Sequence, residues 1–200
     1  MTALPSIRRT FTPEEYLLIE RHAPYRSEFL DGEIYAMAGA TRKHNTIVGN
    51  LTAELQVRLK GTPCQVMSSD MKVDTRRGGL YSYPDLLIVC GEQKYLDSTE
   101  DVLLNPTVLI EVLSPSTEKY DRITKFARYK HIKTLREYVL VSQDSVRIDR
   151  YFLDPSGNWP LSTVAGPESS LVLESVPVSI ALRDIYDRIS FAEDAEPSES

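Results

Sequence analysis

Two acids stand where a folded chain would ordinarily place hydrocarbon. Asp85 opens the run DLLIVC (85–90), and Glu111 lies inside TVLIEVL (107–113) between Ile110 and Val112. A carboxylate in a buried strand costs several kcal/mol unless it is paired, hydrogen-bonded or bound to a cation. Two of them in adjacent strands also repel, so one takes up a proton unless positive charge lies between them. A divalent metal resolves both difficulties. Mg²⁺, with Mn²⁺ as the alternative, suits the pair because it takes one or two carboxylates, keeps several waters and is completed by a phosphate oxygen. Each acid alone has a simpler reading, Asp85 as a turn cap after Pro84 and Glu111 as the partner of an arginine. The pair, followed at once by a lysine-bearing segment, reads as a metal site that handles phosphate.

That segment is basic. Residues 118–136 hold Lys119, Arg122, Lys125, Arg128, Lys130, Lys133 and Arg136 against Glu118 and Asp121. Most charge runs are solvated faces, but beside two acids this one also suits a phosphate-bearing ligand. SPST (114–117) offers Ser116 or Thr117 to cap a helix running to about His131. Asp121 and Lys125 are four apart on one side of it, in line with Tyr129 and Ile132, while Ile123 and Ala127 point the other way. Periodicity leaves Lys125 open between an active-site ammonium and half of an exposed Asp–Lys pair.

The elements that must position these residues follow from pattern. Thr12-Pro13-Glu14-Glu15 starts a helix with a capping box, ending before Pro24. Asp31-Gly32 joins strands 27–30 and 33–38 in a hairpin. Val48, Leu51, Leu55 and Leu59 predict a helix over 41–60 with His44 at its top, closed by Gly61, and Glu54 as an exposed partner for Arg58. CQVM and MKVDT read as short strands. The nearly continuous apolar runs at 85–90, 107–113 and 136–142 suit strands covered on both faces. VRIDRYFL (146–153) alternates as an edge strand does, another strand follows near Trp159, and a short helix is predicted over about 180–190. Interleaved helices and strands predict an α/β or α+β fold around a single mixed sheet.

Composition sets the class. The chain has 200 residues, 42% hydrophobic and 26% charged, which suits one globular domain over 1–192. Residues 193–200, EDAEPSES, read as a disordered acidic tail. Of the 29 acids four lie there, so 25 face 23 bases elsewhere, and the net −6 falls to −2. No apolar run is long enough for a membrane span, and MTALPSIRRTF lacks the core of a secretion signal. Cys64 and Cys90 have no spacing that suggests a bridge or a metal knuckle, so the cytoplasm is the expected compartment.

The order Pro84-Asp85, an intervening strand, then Glu111 resembles the PD-(D/E)XK nuclease superfamily, the restriction-endonuclease-like fold. More closely, the DGE hairpin (31–33), the His-led helix (His44), YPDLLIV (83–89), IEVLSPST (110–117) and YDRITKFARY (120–129) resemble a large bacterial family of candidate restriction endonucleases long grouped as a domain of unknown function. The likeness spans roughly 12–188. It implies a central mixed β-sheet flanked by helices, and Asp85 and Glu111 as metal ligands. The pattern's lysine would fall at Leu113, where this chain departs, and the family implies that Lys125 replaces it. By the same likeness Glu33 and His44 are candidate catalytic residues. The surface reading for Glu33 is a strand residue opposite Arg26, and for His44 a helix end satisfied by backbone. The Val112 carbonyl is a further candidate metal ligand by analogy.

The function so implied is Mg²⁺-dependent hydrolysis of DNA phosphodiester bonds. Cutting both strands of a duplex calls for two sites, which a homodimer would supply. The alternative, motivated by Leu113 and the acidic balance, is a catalytically silent module on the same fold that binds nucleic acid or a protein partner. No phosphate-binding glycine loop, dinucleotide fingerprint or nucleophile elbow is present.

Overall fold

In the computed structural model, residues 10–37, 39–68, 70–76 and 79–191 are described; the expected acidic tail lies outside them. Helix α1 (Pro13–Glu20) begins at Thr12, and the capping box forms, with the Glu15 N–H donating to Thr12 Oγ1 at 3.2 Å and the Thr12 N–H to Glu15 at 2.9 Å. Strands β1 (Ser27–Leu30) and β2 (Glu33–Ala36) form the hairpin, and its turn needs positive φ at both Asp31 (49°) and Gly32 (93°). Helix α2 (Arg42–Leu59) buries Ile47, Leu51, Leu55 and Leu59.

The chain then passes through β3 (Cys64–Ser68), β4 (Lys72–Asp74), β5 (Leu80–Ser82), β6 (Leu86–Cys90), β7 (Val102–Leu103) and β8 (Val108–Leu113). Next come a π turn (Tyr120–Lys125) leading into α3 (Phe126–Tyr129), then β9 (Glu137–Ser142), β10 (Arg147–Phe152), β11 (Leu161–Ala165), β12 (Ser170–Leu173), β13 (Val178–Ala181) and α4 (Leu182–Ile185).

These elements make the expected mixed α+β architecture, but in three sheets rather than one. The six-stranded sheet has the order β11-β10-β9-β8-β6-β3, the five-stranded sheet β2-β1-β5-β4-β7, and β12 pairs with β13. The division falls at Tyr83-Pro84, between β5 and β6. Proline has no N–H for a ladder, so the chain turns there and enters the second sheet. Further differences lie towards the C-terminus. Strand β10 is interior, with β11 as the edge, and Ile180 belongs to β13, which leaves α4 only a short turn.

Only β8 and β9 run parallel within the large sheet, and the π turn and α3 make their crossover. Side chains alternate as strands require. Val108, Ile110, Val112, Val139 and Val141 pack towards α2, whereas Leu109, Leu113, Tyr138 and Leu140 pack towards α3. Glu111 is the one acid in that second row.

Cys64 and Cys90 face each other across β3 and β6 and form a disulfide, contrary to the sequence reading. Their 26-residue separation carries no motif; the antiparallel register brings them together. Such bridges persist in oxidising surroundings, so cysteine usage no longer argues for the cytoplasm. No described helix is long and apolar enough to cross a membrane.

Candidate functional site

Register brings the two acids together. Strands β6 and β8 pair Leu86 with Ile110 and Leu87 with Leu109, and one further step sets Asp85 opposite Glu111. Asp85 continues the row of Leu87 and Val89, so both carboxylates belong to the α3 side of the sheet. Like charges directly opposite on one face are destabilising. Each acid has one fixed oxygen. Asp85 Oδ2 accepts the Val112 N–H at 2.7 Å and lies 3.2 Å from His44 Nε2. Glu111 Oε1 accepts from the Tyr129 hydroxyl at 2.8 Å and from the Lys125 ammonium at 3.2 Å.

Lys125 faces inward, so its pair with Asp121 is buried rather than exposed. In the π turn the Phe126 N–H reaches the Asp121 carbonyl five residues back. This wider turn keeps residues four apart nearly in line, and Asp121, Lys125 and Tyr129 all point at the sheet. Ile123, on the opposite side, is 60% exposed. Phe126 holds the outer side of the segment, stacked on Tyr151 with centroids 4.0 Å apart.

The ammonium is only 6% exposed and is enclosed by Glu28 at 3.0 Å, Glu111 at 3.2 Å and Asp121 at 3.4 Å. Burial alone would lower its pKa, but the three carboxylates outweigh burial and hold Lys125 charged. Burial pushes the Glu111 carboxyl well up, against the pull of Lys125 and with the help of Asp121 and Asp85. Asp121 is raised for the same leading reason. Three acids thus share one lysine, and burial favours a proton on Glu111 and on Asp121 unless further positive charge is supplied.

The early acid at this site is Glu28 on β1, not Glu33. Glu33 stands opposite Leu30 rather than Arg26, and its carboxylate meets the Tyr35 hydroxyl on the hairpin. Glu28 carried the same signal as Glu111, an acid inside a short strand beside a buried aromatic, but the adjacent DGE turn drew attention to Glu33. Tyr129 shares the side of Asp121 and Lys125 by its spacing but is not singled out by it, and Gln143 gives no signal in the sequence. Leu113 packs in the core, so the nearby ammonium is that of Lys125. Val112, expected to offer its carbonyl, meets Asp85 with its N–H. His44 lies against Asp85, not a backbone group.

Part of the basic strip is engaged within the protein, while Lys119, Lys130, Lys133 and Arg136 are exposed. Arg122 pairs with Glu118 at 2.7 Å and Asp149 at 2.8 Å, Arg128 with Asp31 at 2.5 Å, and the Lys130 ammonium sits 4.9 Å from the Phe126 ring centre. Glu54 and Arg58 form the expected pair on α2.

These groups line a cleft of about 890 Å³ between the α2 N-terminus, the β1–β2 hairpin and the π turn. Asp85 Oδ1 and Glu111 Oε2 have no hydrogen-bond partner among the described residues. Two carboxylates with one uncommitted oxygen each fit Mg²⁺, which relies on waters for the rest of its shell. Among the described residues no group of three or more His, Cys, Asp or Glu is placed to hold a metal ion, so an ion here would rest on these two carboxylates and on water.

A family model described as "Putative restriction endonuclease" matches residues 13–183. The uncharacterized protein slr1290 of Synechocystis sp. is 36% identical over 180 residues, covering 90% of this chain and 93% of its own length. The uncharacterized protein sll1609 of the same organism is 32% identical over 163 residues, covering 82% of this chain and 92% of its own. The crystal structure of "a putative nuclease belonging to DUF820" from Anabaena variabilis superposes with a TM-score of 0.72 at 14% identity, over 86% of this chain and 96% of that one, a likeness of fold.

Proposed function

This chain belongs to the Uma2 family of restriction-endonuclease-like proteins, and we propose that it is a Mg²⁺-dependent endonuclease that hydrolyses DNA phosphodiester bonds in the Asp85–Glu111 cleft. The observation that supports this reading is Asp85 bound to the Val112 N–H at 2.7 Å, next to Glu111, with the Lys125 ammonium 3.2 Å from Glu111.

Phosphodiester hydrolysis builds negative charge on the attacking, departing and non-bridging oxygens. Asp85 and Glu111 would hold the metal ion, which would supply positive charge against that build-up and make water more acidic. The protein's own groups set the geometry. The Val112 N–H fixes one oxygen of Asp85, and Tyr129 fixes one of Glu111, so the remaining oxygens are free to hold the ion. Tyr129 is itself held by Ser82, 2.9 Å from its hydroxyl. Lys125, kept protonated, orients the attacking water and offsets developing charge, as preorganised donors do. Glu28 and Asp121 hold the ammonium in place. His44 steadies Asp85 from the α2 side.

Purified protein incubated with plasmid and Mg²⁺ tests this reading, alongside Asp85→Ala and Glu111→Ala. Cleavage lost in both variants is expected; cleavage that survives both would place the chemistry elsewhere. A silent binding module is the second reading, favoured by the enclosure of Lys125 within three carboxylates. Nucleic-acid binding without cleavage in Mg²⁺ or Mn²⁺ would select it.

A further inference from the structure

The wall of the cleft that meets Asp85 through His44 is built from different chemistry. It is the first turn of α2, an 18-residue helix with no acid in that turn. Thr41 caps it: Thr41 Oγ1 accepts the His44 N–H at 3.1 Å and donates its own proton to Gln143 Oε1 at 2.8 Å. This orients the Gln143 carboxamide at the helix N-terminus. Gln143 follows β9 and is only 4% exposed, yet its Nε2 is buried with no hydrogen-bond partner. An amide NH₂ left without an acceptor is costly, so an unpaired one on a residue that lines a cleft marks a place for an acceptor. Arg42, the first residue of the same helix, is exposed, and no ion pair engages it among the described residues.

We propose that the α2 N-terminus, Gln143 and Arg42 form a phosphate-oxygen subsite, which holds a nucleic-acid strand beside the Asp85–Glu111 pair. A helix N-terminus presents free N–H groups and partial positive charge to an anion. Gln143 Nε2 adds an N–H donor with no acceptor, to which one non-bridging phosphate oxygen can serve as acceptor. Arg42, from the same first turn, supplies a full charge. The carboxylates repel phosphate when no cation is there, so the α2 turn is where a strand is held. The identification of the occupant as a nucleic-acid strand rests on the nuclease reading; the preference for a phosphate oxygen rests on the donors alone.

The test uses the full chain with Ca²⁺ replacing Mg²⁺, so that nothing is cut. The side-chain NH₂ resonances of Gln143, assigned by their disappearance in Gln143→Glu, are followed while inorganic phosphate or a ten-nucleotide single-stranded DNA is added. A saturable shift is expected with both probes. Gln143→Glu should weaken oligonucleotide binding about tenfold, the effect of losing a hydrogen bond to a charged group. Arg42→Ala should reduce the slope of log affinity against log salt by about 0.7, the share of one phosphate contact on a single strand. Gln143 resonances that stay still while other cleft resonances move would overturn the proposal. So would binding by Gln143→Glu within twofold of the native protein, or no binding of either probe. If Gln143→Glu fails to fold, the resonances of the unaltered protein decide. Saturable binding with a Gln143 shift but no cleavage in Mg²⁺ would support the subsite while removing the nuclease reading.

Discussion

Glu28 on the first strand and Lys125 in the π turn meet at 3.0 Å in the protein interior. Their contact links the five-stranded sheet to the crossover between β8 and β9, so the ammonium is positioned from two sides. Glu28→Gln keeps the shape and removes the charge. Cleavage is predicted to fall by about 10- to 100-fold, the range associated with disturbed electrostatic preorganisation, whereas Glu33→Gln, on the hairpin surface, should stay within about twofold. Initial rates on one oligonucleotide compare the two. Equal losses in both variants would contradict the placement of Glu28.

Removing the ammonium leaves Glu28, Glu111 and Asp121 facing one another. Breaking a buried ion pair from one side costs about 3–5 kcal/mol. Lys125→Met is therefore predicted to lower the urea-unfolding free energy by that amount at neutral pH, with part of the loss recovered in millimolar Mg²⁺ as the ion takes the place of the missing charge. A variant as stable as the native chain would show that Lys125 is not the cluster's counter-charge.

The disulfide makes its own prediction. Closing a loop between Cys64 and Cys90, 26 residues apart, contributes roughly 3 kcal/mol by the chain-entropy model. The Cys64→Ser/Cys90→Ser double variant should melt on the order of 10 °C lower, and reductant should give the unaltered protein nearly the same midpoint. Free-thiol titration of unfolded, unreduced protein checks the bridge directly, with none expected.

Acid stability should carry the mark of Asp101, whose carboxylate accepts from Arg21 Nε at 2.9 Å and Nη2 at 2.7 Å. Arg21 holds the Asp101 pKa below the usual range, burial opposes, and Lys72 adds to the lowering. A depressed folded pKa gives stability that is complete above the unfolded value of about 3.9 and disappears as pH falls through the folded one. Asp101→Asn is predicted to lower stability at neutral pH and to flatten the decline below about pH 4. Urea midpoints between pH 2 and 6 measure both.

Much of this organisation was legible in the sequence because it is local. The Thr12–Glu15 capping box, the Asp31-Gly32 turn, the α2 stripe and the apolar runs of β6, β8 and β9 each depend on neighbours within a few residues. Asp85 and Glu111 stood out because a charge in an apolar run is anomalous in itself. What escaped depends on register and distance. Cys64 meets Cys90, and Glu28 meets Lys125, only through strand pairing. The inward turn of Lys125 depends on a π turn that four-residue spacing does not reveal. Gln143 is unremarkable until the α2 cap fixes which end of its amide faces the cleft. The split into three sheets turned on Pro84, which read equally well as the start of a strand.

The central claim is that a divalent cation resides between Asp85 and Glu111. Calorimetric titration of Mg²⁺, and separately Mn²⁺, into the unaltered protein, Asp85→Asn and Glu111→Gln measures it most directly. One saturable site in the unaltered protein, lost or greatly weakened in both variants while their melting profiles remain cooperative, is the predicted result. Binding that is unchanged in both variants would contradict the account, as would cleavage by a protein that binds no ion.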